Sequence, residues 1–490
     1  MSEGTSGGAA APRIVIIGGG LSGLTTAYRL LKEAKAHGRT VDVTVLEQRA
    51  RVGGMAIAMD VNGRTVEHGS HGFFGSGVGY YVNSVALTKE LGTRDSLVRI
   101  PGWTLVDGKG RRALITHSKW LPRLLDTVPS ILRVPWLSFT GKLHTIWAAF
   151  KLSRVRARDY NAKDEHNGYE VGRAAGYDHA GALTWNMASL GLTNQFVDGD
   201  PAHGDPGLSG AIYCGKHRVL LGSLQGLTYL LPTGSLSDVL ANPLAREIEA
   251  MGGTIRLETR ADAIDRTGKT VAIEGPAGKA SLAYDELVIA IQPWLAAKLV
   301  TWADAPWRSL GPTTPVITMV LGLSGRVTKS TDGRELGLSR KEWPFSVITD
   351  LSNLWPEYAH AKTGGKTVLR VEIGHADLPP GEEPKEAMVA AVKAGLDRLW
   401  PECAAMTIEW AELNHERELL YVAWLRGEFK KKPDAPGRQV ADGIYLAGDW
   451  TTLGTIGMEA AVISAFETVN WIHGRHAWPA ISFPNVPLRR

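Results

Sequence analysis

A glycine-rich turn between a strand pattern and a helix pattern constrains this chain more than any other feature. Residues 18–23 read GGGLSG, a G-x-G-x-x-G spacing, and follow a β-branched apolar run at 14–17 that is typical of a buried parallel strand. Gly18 allows the tight turn, Gly20 lets the backbone approach a pyrophosphate, and Gly23 lets the following helix pack closely on the strand. We therefore expect a dinucleotide whose phosphates lie at the N-terminus of that helix.

A second apolar run strengthens this interpretation. Residues 41–46 form another strand pattern, which ends at Glu47. Dinucleotide folds place an acidic residue roughly 20 residues beyond the glycines to bind a ribose hydroxyl, and Glu47 lies a few residues past that position. The sequence therefore predicts that the Glu47 carboxylate binds a ribose.

Length and composition limit the class of protein. At 490 residues the chain is too long for one ordinary core, so we expect two closely packed domains. A net charge of +4 argues against nucleic acid as the main partner. The two cysteines, Cys214 and Cys403, fit a reducing compartment, and no cysteine–histidine cluster predicts a metal.

The sequence carries no pattern typical of a targeting segment. Residues 1–11 are small and polar and lack the apolar core of a signal peptide, so we interpret them as a flexible tail. No uninterrupted apolar stretch is long enough to span a bilayer. We expect a cytoplasmic protein, with peripheral contact on the inner face of the cell membrane as a further option.

Three separated blocks of alternating strand and helix patterns predict one α/β domain. Such alternation implies a parallel sheet with right-handed crossovers. The expected fold class is α/β, with a discontinuous Rossmann-like nucleotide-binding domain and a mixed α+β substrate domain formed by two inserts. The nucleotide-binding domain is predicted at 12–91, 224–300 and 436–475, the substrate domain at 92–223 and 301–435, and the tails at 1–11 and 476–490.

One segment of the first insert is both basic and aromatic. Residues 119–158 carry eight Lys or Arg and one acid, Asp126, with tryptophans, leucines and phenylalanines between them. This pattern suits helices that lie on an anionic membrane surface. The alternative is helices that pack on the substrate domain and turn a solvated basic face outward. The sequence leaves both interpretations open.

Two distant segments carry a specific resemblance. The first is the glycine motif followed by EQRARVGG at 47–54, and the second is LAGDWT at 446–451 followed by GMEAAV at 457–462. Together they resemble the superfamily of FAD-dependent amine oxidases and phytoene-type desaturases, and look most like its carotenoid and squalene desaturase branch. The resemblance covers the three blocks well and the inserts poorly.

The resemblance implies that FAD is the cofactor. Asp449 would accept from the ribityl chain or approach the pyrophosphate, and a helix beginning near Gly457 would point its N-terminus at the flavin, where negative charge accumulates on reduction. Met55 departs from the family, which often has arginine there. Except at Glu47 and Asp449, a turn or packing role is the alternative. The implied cofactor-binding residues are Gly18, Gly20, Leu21, Ser22, Gly23, Glu47, Gln48, Arg49, Gly53, Gly54, Met55, Gly69, Ser70, Ala261, Gly448, Asp449, Gly457 and Met458.

The segment EHGSHGFFG at 67–75 resembles the family's loop over the flavin. Its glycines permit close backbone approach, and Phe73 and Phe74 could stack on a planar or polyene substrate. His71 is the candidate catalytic residue, as a base or polar anchor near the flavin ring. A structural role is the alternative for this histidine.

The substrate class depends on which groups are missing. Amine-oxidising relatives usually carry an aromatic residue at the position of Gly457, and the chain shows no clear carboxylate pair or catalytic triad. An apolar isoprenoid needs little acid–base chemistry, only an allylic C–H placed against the flavin. We therefore expect desaturation of a carotenoid or squalene derivative by hydride transfer to flavin. The alternatives are an amine or amino-acid oxidase, a flavin-dependent isomerase without net redox, and a non-catalytic flavoprotein.

Overall fold

A computed structural model gives the fold of the chain. It describes residues 11–67, 72–74, 81–100, 102–116, 123–185, 197–199, 206–222, 229–311, 317–328, 336–338, 342–373, 385–413, 425–433, 436–452 and 457–482. The elements below lie within these ranges.

The strands are numbered in chain order. They are β1 (Arg13–Ile17), β2 (Asp42–Leu46), β3 (Ala58–Val61), β4 (Arg64–Glu67), β5 (Phe73–Phe74), β6 (Leu97–Ile100), β7 (Gly102–Val106), β8 (Arg112–Thr116), β9 (Tyr229–Pro232), β10 (Thr254–Arg256), β11 (Arg260–Asp265), β12 (Thr270–Gly275), β13 (Gly278–Ala283), β14 (Glu286–Ile289), β15 (Ile317–Leu323), β16 (Leu336–Leu338), β17 (Val347–Asp350), β18 (Val368–Ile373), β19 (Ile408–Leu413), β20 (Gln439–Ala441) and β21 (Ile444–Leu446).

The α-helices are numbered in the same way. They are α1 (Leu21–Ala36), α2 (Val82–Glu90), α3 (Arg123–Leu132), α4 (Phe139–Leu152), α5 (Tyr160–Lys163), α6 (Gly168–Ala175), α7 (Gly210–Gly222), α8 (Asn242–Ala250), α9 (Pro293–Leu299), α10 (Lys385–Leu399) and α11 (Gly457–Arg475). A π-helical stretch, Ser237–Ala241, leads directly into α8.

The sheet that positions the site has six strands in the order β10-β2-β1-β14-β21-β20. Its first five strands are parallel, and β20 pairs antiparallel with β21 at one edge. These strands come from 13–46, 254–289 and 439–446, one group from each predicted block. The predicted fold class is therefore confirmed, and the domain boundaries stay predictions.

Alternation along β1 explains why this sheet is covered on both faces. Ile14 and Ile16 belong to a core with α1, α8 and α11, whereas Val15 and Ile17 belong to a second core on the opposite face. Successive side chains of a strand point to opposite faces, so a continuous apolar strand is stable only where both faces are covered. The β-branched run at 14–17 meets this condition.

A seven-stranded sheet, in the order β19-β15-β18-β17-β16-β7-β8, forms the body of the second domain. It is antiparallel except between β16 and β7. Met319 and Leu321 of β15 pack against Met388 and Val392 of α10 in one buried cluster. A sheet backed by a helix on one face matches the mixed α+β architecture expected for the inserts.

Four helices of the first insert form a separate buried cluster. Helices α4, α5, α6 and α7 share a buried core that includes Ala148, Leu152, Tyr177 and Tyr213. The basic and aromatic segment at 119–158 contains α3 and α4. Across the part of the chain that the structure describes, no helix is both long enough and apolar enough to cross a bilayer.

Candidate active site

A cavity of about 480 Å³ opens at the carboxyl ends of the parallel strands β1, β2 and β14. Loops that follow neighbouring parallel strands meet at one edge of the sheet, which is where open α/β sheets bind ligands. The wall is built from segments more than 400 residues apart, because Gly18 and Gly457 both contribute to it. The volume lies within the range of about 300–1,000 Å³ that is usual for small-molecule sites.

The glycine turn after β1 forms the first wall. Gly18 has a φ of +110°, a backbone conformation that residues with a side chain rarely adopt. A Cβ there would also lie 2.4 Å from the carbonyl oxygen of Ala290, so the position requires glycine for both reasons. Gly53 donates from its backbone to Gly19 at 2.8 Å, and a Cβ on Gly54 would lie 3.0 Å from Cα of Gly20. The two glycine loops therefore pack backbone against backbone beside the cavity.

Helix α1 begins at this wall without a capping side chain. Gly20 is its N-cap residue and makes no side-chain cap bond. The Ser22 hydroxyl is directed elsewhere, since it donates to the carbonyl of Ala461 at 2.8 Å and lies 2.9 Å from the Ser464 hydroxyl. Leu21 and Ser22 line the cavity. The N–H groups of the first turn and the helix dipole make this wall favourable for an anion such as a phosphate.

Glu47 shapes the turn from the end of β2. Its carboxylate accepts a hydrogen bond from the Gly19 backbone N–H at 2.8 Å and another from the Arg49 N–H at 3.0 Å. The residue is buried yet lies on the cavity wall. A carboxylate offers about four lone-pair positions, so two remain for hydroxyl donors of a ligand.

Asp449 adds a carboxyl group to the cavity wall. It follows Gly448, whose φ of +149° belongs to the region that favours glycine. Burial raises the pKa of Asp449, and the nearby Lys432 ammonium opposes this rise. Burial also lowers the pKa of Lys432, against the attraction of Asp449 and Asp164. Lys432 therefore lies close to Asp449, which lines the cavity, and each residue opposes the effect of burial on the pKa of the other.

The first turn of α11 closes the cavity. Gly457 has a φ of +61°, and the Tyr81 hydroxyl lies 3.1 Å from the position that a Cβ on Gly457 would take. Gly457, Met458 and Tyr81 all line the cavity. Within the described residues, no group of three His, Cys, Asp or Glu side chains is arranged to hold a metal ion.

Glu459 holds this turn in place. It is fully buried, and its carboxylate accepts four hydrogen bonds: from the backbone N–H (3.0 Å) and side-chain amide (2.7 Å) of Asn83, and from the backbone N–H (2.9 Å) and hydroxyl (2.7 Å) of Ser84. Burial raises the pKa of Glu459, and these four donors oppose the rise. Since Asn83 and Ser84 begin α2, the carboxylate joins the first turns of two helices beside the cavity.

A family model described as flavin containing amine oxidoreductase matches residues 21–473, which is nearly the whole chain. The chain belongs to this family. The resemblance inferred from the two terminal motifs is thereby confirmed, as is the expectation of a flavin-dependent oxidoreductase.

Two characterised relatives of this flavin oxidoreductase are distant. Coproporphyrinogen III oxidase of Bacillus subtilis is 23% identical over 385 residues, which cover 74% of this chain and 77% of that protein. Carotenoid phi-ring synthase of Chlorobaculum tepidum is 24% identical over 251 residues, which cover 49% of this chain and 36% of that protein. The chain therefore matches only about a third of the length of the ring synthase.

A solved structure supports the fold. Putrescine oxidase bound to putrescine superposes with a TM-score of 0.66 at 16% identity, covering 95% of this chain and 99% of that one. At such low identity the likeness extends to the fold alone. The likeness spans nearly the full length of both chains, so the fold is shared over the inserts as well as the nucleotide-binding blocks.

The structure brings most of the predicted cofactor residues of this oxidoreductase to one cavity. Gly23 lies behind the turn rather than on the wall, and Gly69, Ser70 and the candidate catalytic His71 lie outside the described residues. Cofactor contact stays a prediction for all of them. Those that line the cavity are Gly18, Gly20, Leu21, Ser22, Glu47, Gln48, Arg49, Gly53, Gly54, Met55, Ala261, Gly448, Asp449, Gly457 and Met458.

Sequence reasoning missed several other lining residues. The loop after β14 contributes Ala290, Ile291 and Gln292, and α9 contributes Lys298. The residues after β14 could have been predicted from the sheet topology. Because β14 is a buried parallel strand beside β1, its carboxyl end must lie at the same edge of the sheet as the glycine turn. Tyr81 gave no sequence signal, since its place depends on a left-handed backbone with a φ of +50°.

Glu67, the last residue of β4, supplies a pH-dependent prediction. It is fully buried, and burial raises its pKa to about 8, opposed by Arg370 and by the Leu236 N–H that donates to it. The folded state therefore keeps a proton that the unfolded chain releases above pH 4.5, so stability falls as pH rises from about 4.5 to 8. In the wild type, Glu67 should lower the free energy of unfolding by about 3 kcal/mol between pH 5 and pH 8. Glu67→Gln should abolish this part of the decrease, because the amide does not ionise.

Urea denaturation of wild type and Glu67→Gln at both pH values measures this difference. Glu249→Gln, the same change on the exposed side of α8, is the matched control and should keep the wild-type slope. An unchanged pH slope in Glu67→Gln would show that the carboxyl is ionised in the folded state.

Proposed function

We propose that the protein is a FAD-dependent oxidoreductase that desaturates or otherwise oxidises an apolar isoprenoid, such as a carotenoid or squalene derivative. The observation that carries the cofactor assignment is the convergence of the α1 turn, Glu47, Asp449 and the first turn of α11 on one cavity. Membership of a flavin-containing family agrees with it. When bound, the flavin would supply the hydride acceptor that the protein itself lacks.

The residues of the cavity fit FAD in their chemistry. The uncapped N–H groups of α1 would bind the pyrophosphate, and Glu47 would accept from ribose hydroxyls while it keeps its bonds to the turn. Arg49 and Lys298 on the wall add positive charge in a chain that has Met55 where relatives often have arginine. The first turn of α11, at Gly457 and Met458, would stabilise negative charge on the reduced ring.

The surroundings of Gly457 support an apolar substrate over an amine. A large aromatic side chain at this position would meet the Tyr81 hydroxyl, which lies only 3.1 Å from the first carbon that such a side chain would add. The aromatic residue usual at this position in amine-oxidising relatives would therefore require Tyr81 to move and would adopt a strained left-handed backbone. The partial match to a carotenoid ring synthase favours the same substrate class.

Oxidation of a tetrapyrrole is the second candidate. The relative named coproporphyrinogen III oxidase matches a longer part of this chain than the ring synthase does, 385 against 251 residues. Both candidate reactions remove hydrogen from carbon and place little demand on acid–base residues. They differ in substrate charge, so a direct comparison of substrates separates them.

Anaerobic reduction of the bound flavin tests the proposal. The purified protein should be yellow, the released cofactor should have the mass of FAD, and visible flavin absorbance should bleach with a carotenoid or a squalene derivative. Free FAD mixed with each substrate is the control. Bleaching by coproporphyrinogen III alone would support the second candidate, and bleaching by putrescine or another amine would support an amine oxidase. Protein without flavin would overturn the cofactor assignment.

A further inference from the structure

Helix α4 is apolar on both sides. Its inner face consists of the buried residues Gly141, Thr145, Ala148, Ala149 and Leu152, and it packs with α6 and α7. Its outer face carries Phe139, Leu143, Trp147 and Phe150, which are 72%, 48%, 56% and 40% exposed. Their spacings of four, four and three residues place all four on one side of the helix.

This outer face departs from the usual design of a surface helix, which turns polar residues to water. Eight large apolar side chains are exposed in the part of the chain that the structure describes, and four of them are these residues. A fifth, Leu132, ends the neighbouring helix α3. Scattered exposed apolar residues need no explanation, whereas a cluster on one helix marks an interaction surface.

Basic side chains surround this face. Residues 128–158 contain no Asp or Glu and six Lys or Arg, at positions 133, 142, 151, 154, 156 and 158. The Lys151 ammonium lies 5.3 Å from the centre of the Trp147 ring, and the Arg154 guanidinium lies 3.8 Å from the centre of the Phe150 ring. The two rings stack with centroids 6.0 Å apart. Cations therefore sit directly against the exposed aromatic residues.

Asp178 and Asp159 are acidic residues close to α4 in the part of the chain that the structure describes. Asp178 lies under Gly141, where its carboxylate accepts from the Gly181 N–H at 2.7 Å. Asp159 lies beyond the basic run and is 3.9 Å from Arg158. The exposed side of α4 thus combines bulky apolar residues with the positive charge of Lys151 and Arg154.

We propose that the outer face of α4 docks on the surface of an anionic membrane. Lipid headgroups would neutralise Lys151 and Arg154, while Phe139, Leu143, Trp147 and Phe150 would enter the boundary between headgroups and acyl chains. Tryptophan is favoured at that depth, and the stems of Lys and Arg reach back to the headgroups. A helix lying in the plane of the interface needs no membrane-spanning segment. The inference stands on α4 and does not depend on the substrate.

Vesicle flotation of the 490-residue chain with its flavin bound tests this proposal without any substrate. Wild type should float with vesicles of phosphatidylcholine and phosphatidylglycerol, float poorly with phosphatidylcholine alone, and be released by high salt. Trp147→Ser/Phe150→Ser and Lys151→Glu/Arg154→Glu should each lower the vesicle partition constant at least about tenfold, a free-energy difference of about 1.4 kcal/mol. Flavin content and unfolding temperature should stay at wild-type values, which separates lost docking from lost folding.

Two controls match the changes elsewhere on the surface. Leu257→Ser removes another exposed apolar residue, and Lys279→Glu reverses an exposed charge on β13, so neither should affect flotation. Wild type that fails to float, or α4 variants that float as well as wild type, would overturn the proposal. If wild type does not bind vesicles but is a dimer, and Trp147→Ser/Phe150→Ser is a monomer, then a second copy of this chain covers the outer face of α4 instead of a membrane.

Discussion

Gly23→Ala should strip the protein of its flavin and lower its free energy of unfolding by about 3 kcal/mol, at the upper end of what overpacking usually costs. A Cβ on Gly23 would lie 2.0 Å from the carbonyl oxygen of Gly18 and 3.2 Å from the side chain of Ile16. Neither group can shift easily, because the Gly18 carbonyl is part of the turn backbone and the Ile16 side chain is buried in the core. The added methyl group can be accommodated only if α1 moves away from the sheet. This movement would also carry the N-terminus of α1 away from the cavity.

Flavin content after gel filtration and urea denaturation measure the two effects. Gly474→Ala is the control, since Gly474 is exposed on α11 and a Cβ there meets nothing within 4 Å. That change should leave flavin content unchanged and add roughly 0.5–1 kcal/mol of stability, the usual gain for alanine in a helix. A Gly23→Ala protein with full flavin and wild-type stability would contradict the close packing of α1 on β1.

The parts of the fold that the sequence predicted are those with strong local signals. The β-branched run at 14–17, the glycine turn at 18–23 and the acidic residue at 47 each reflect a requirement that acts within a few residues. Together they predicted the strand–turn–helix unit and the part of the cavity wall formed by the glycine turn and Glu47. Motifs at 446–451 and 457–462 were recognised through family resemblance, which supplies long-range information that periodicity does not contain.

The remaining features depend on pairings that no local pattern encodes. The hydrogen bonds of Glu459 join residues 375 positions apart in the sequence. The contribution of Tyr81 depends on its left-handed backbone next to Gly457. Periodicity in α4 likewise indicates two apolar sides but not which one faces water, and only the packing of α6 and α7 decides this. Tertiary contacts determine which of several plausible local roles a residue takes.

Glu459→Ala should destabilise the protein by about 4 kcal/mol, because it removes the acceptor of several buried hydrogen bonds at once. The change leaves four donors of Asn83 and Ser84 without their acceptor at a fully buried position. Each buried donor without a partner costs about 1–3 kcal/mol unless water enters. Because Gly457 and Met458 line the cavity in the same turn, flavin retention should fall together with stability.

Denaturation and flavin content of three variants separate the causes. Glu249→Ala makes the same chemical change on the exposed side of α8 and should stay within about 0.5 kcal/mol of wild type. Glu459→Gln keeps one acceptor oxygen and nearly the same volume, so its stability should lie between wild type and Glu459→Ala. If Glu459→Gln is as stable as wild type, the carboxylate charge contributes nothing and shape alone holds the turn. If Glu459→Ala keeps both stability and flavin, the bonds between α2 and α11 do not position the cavity wall.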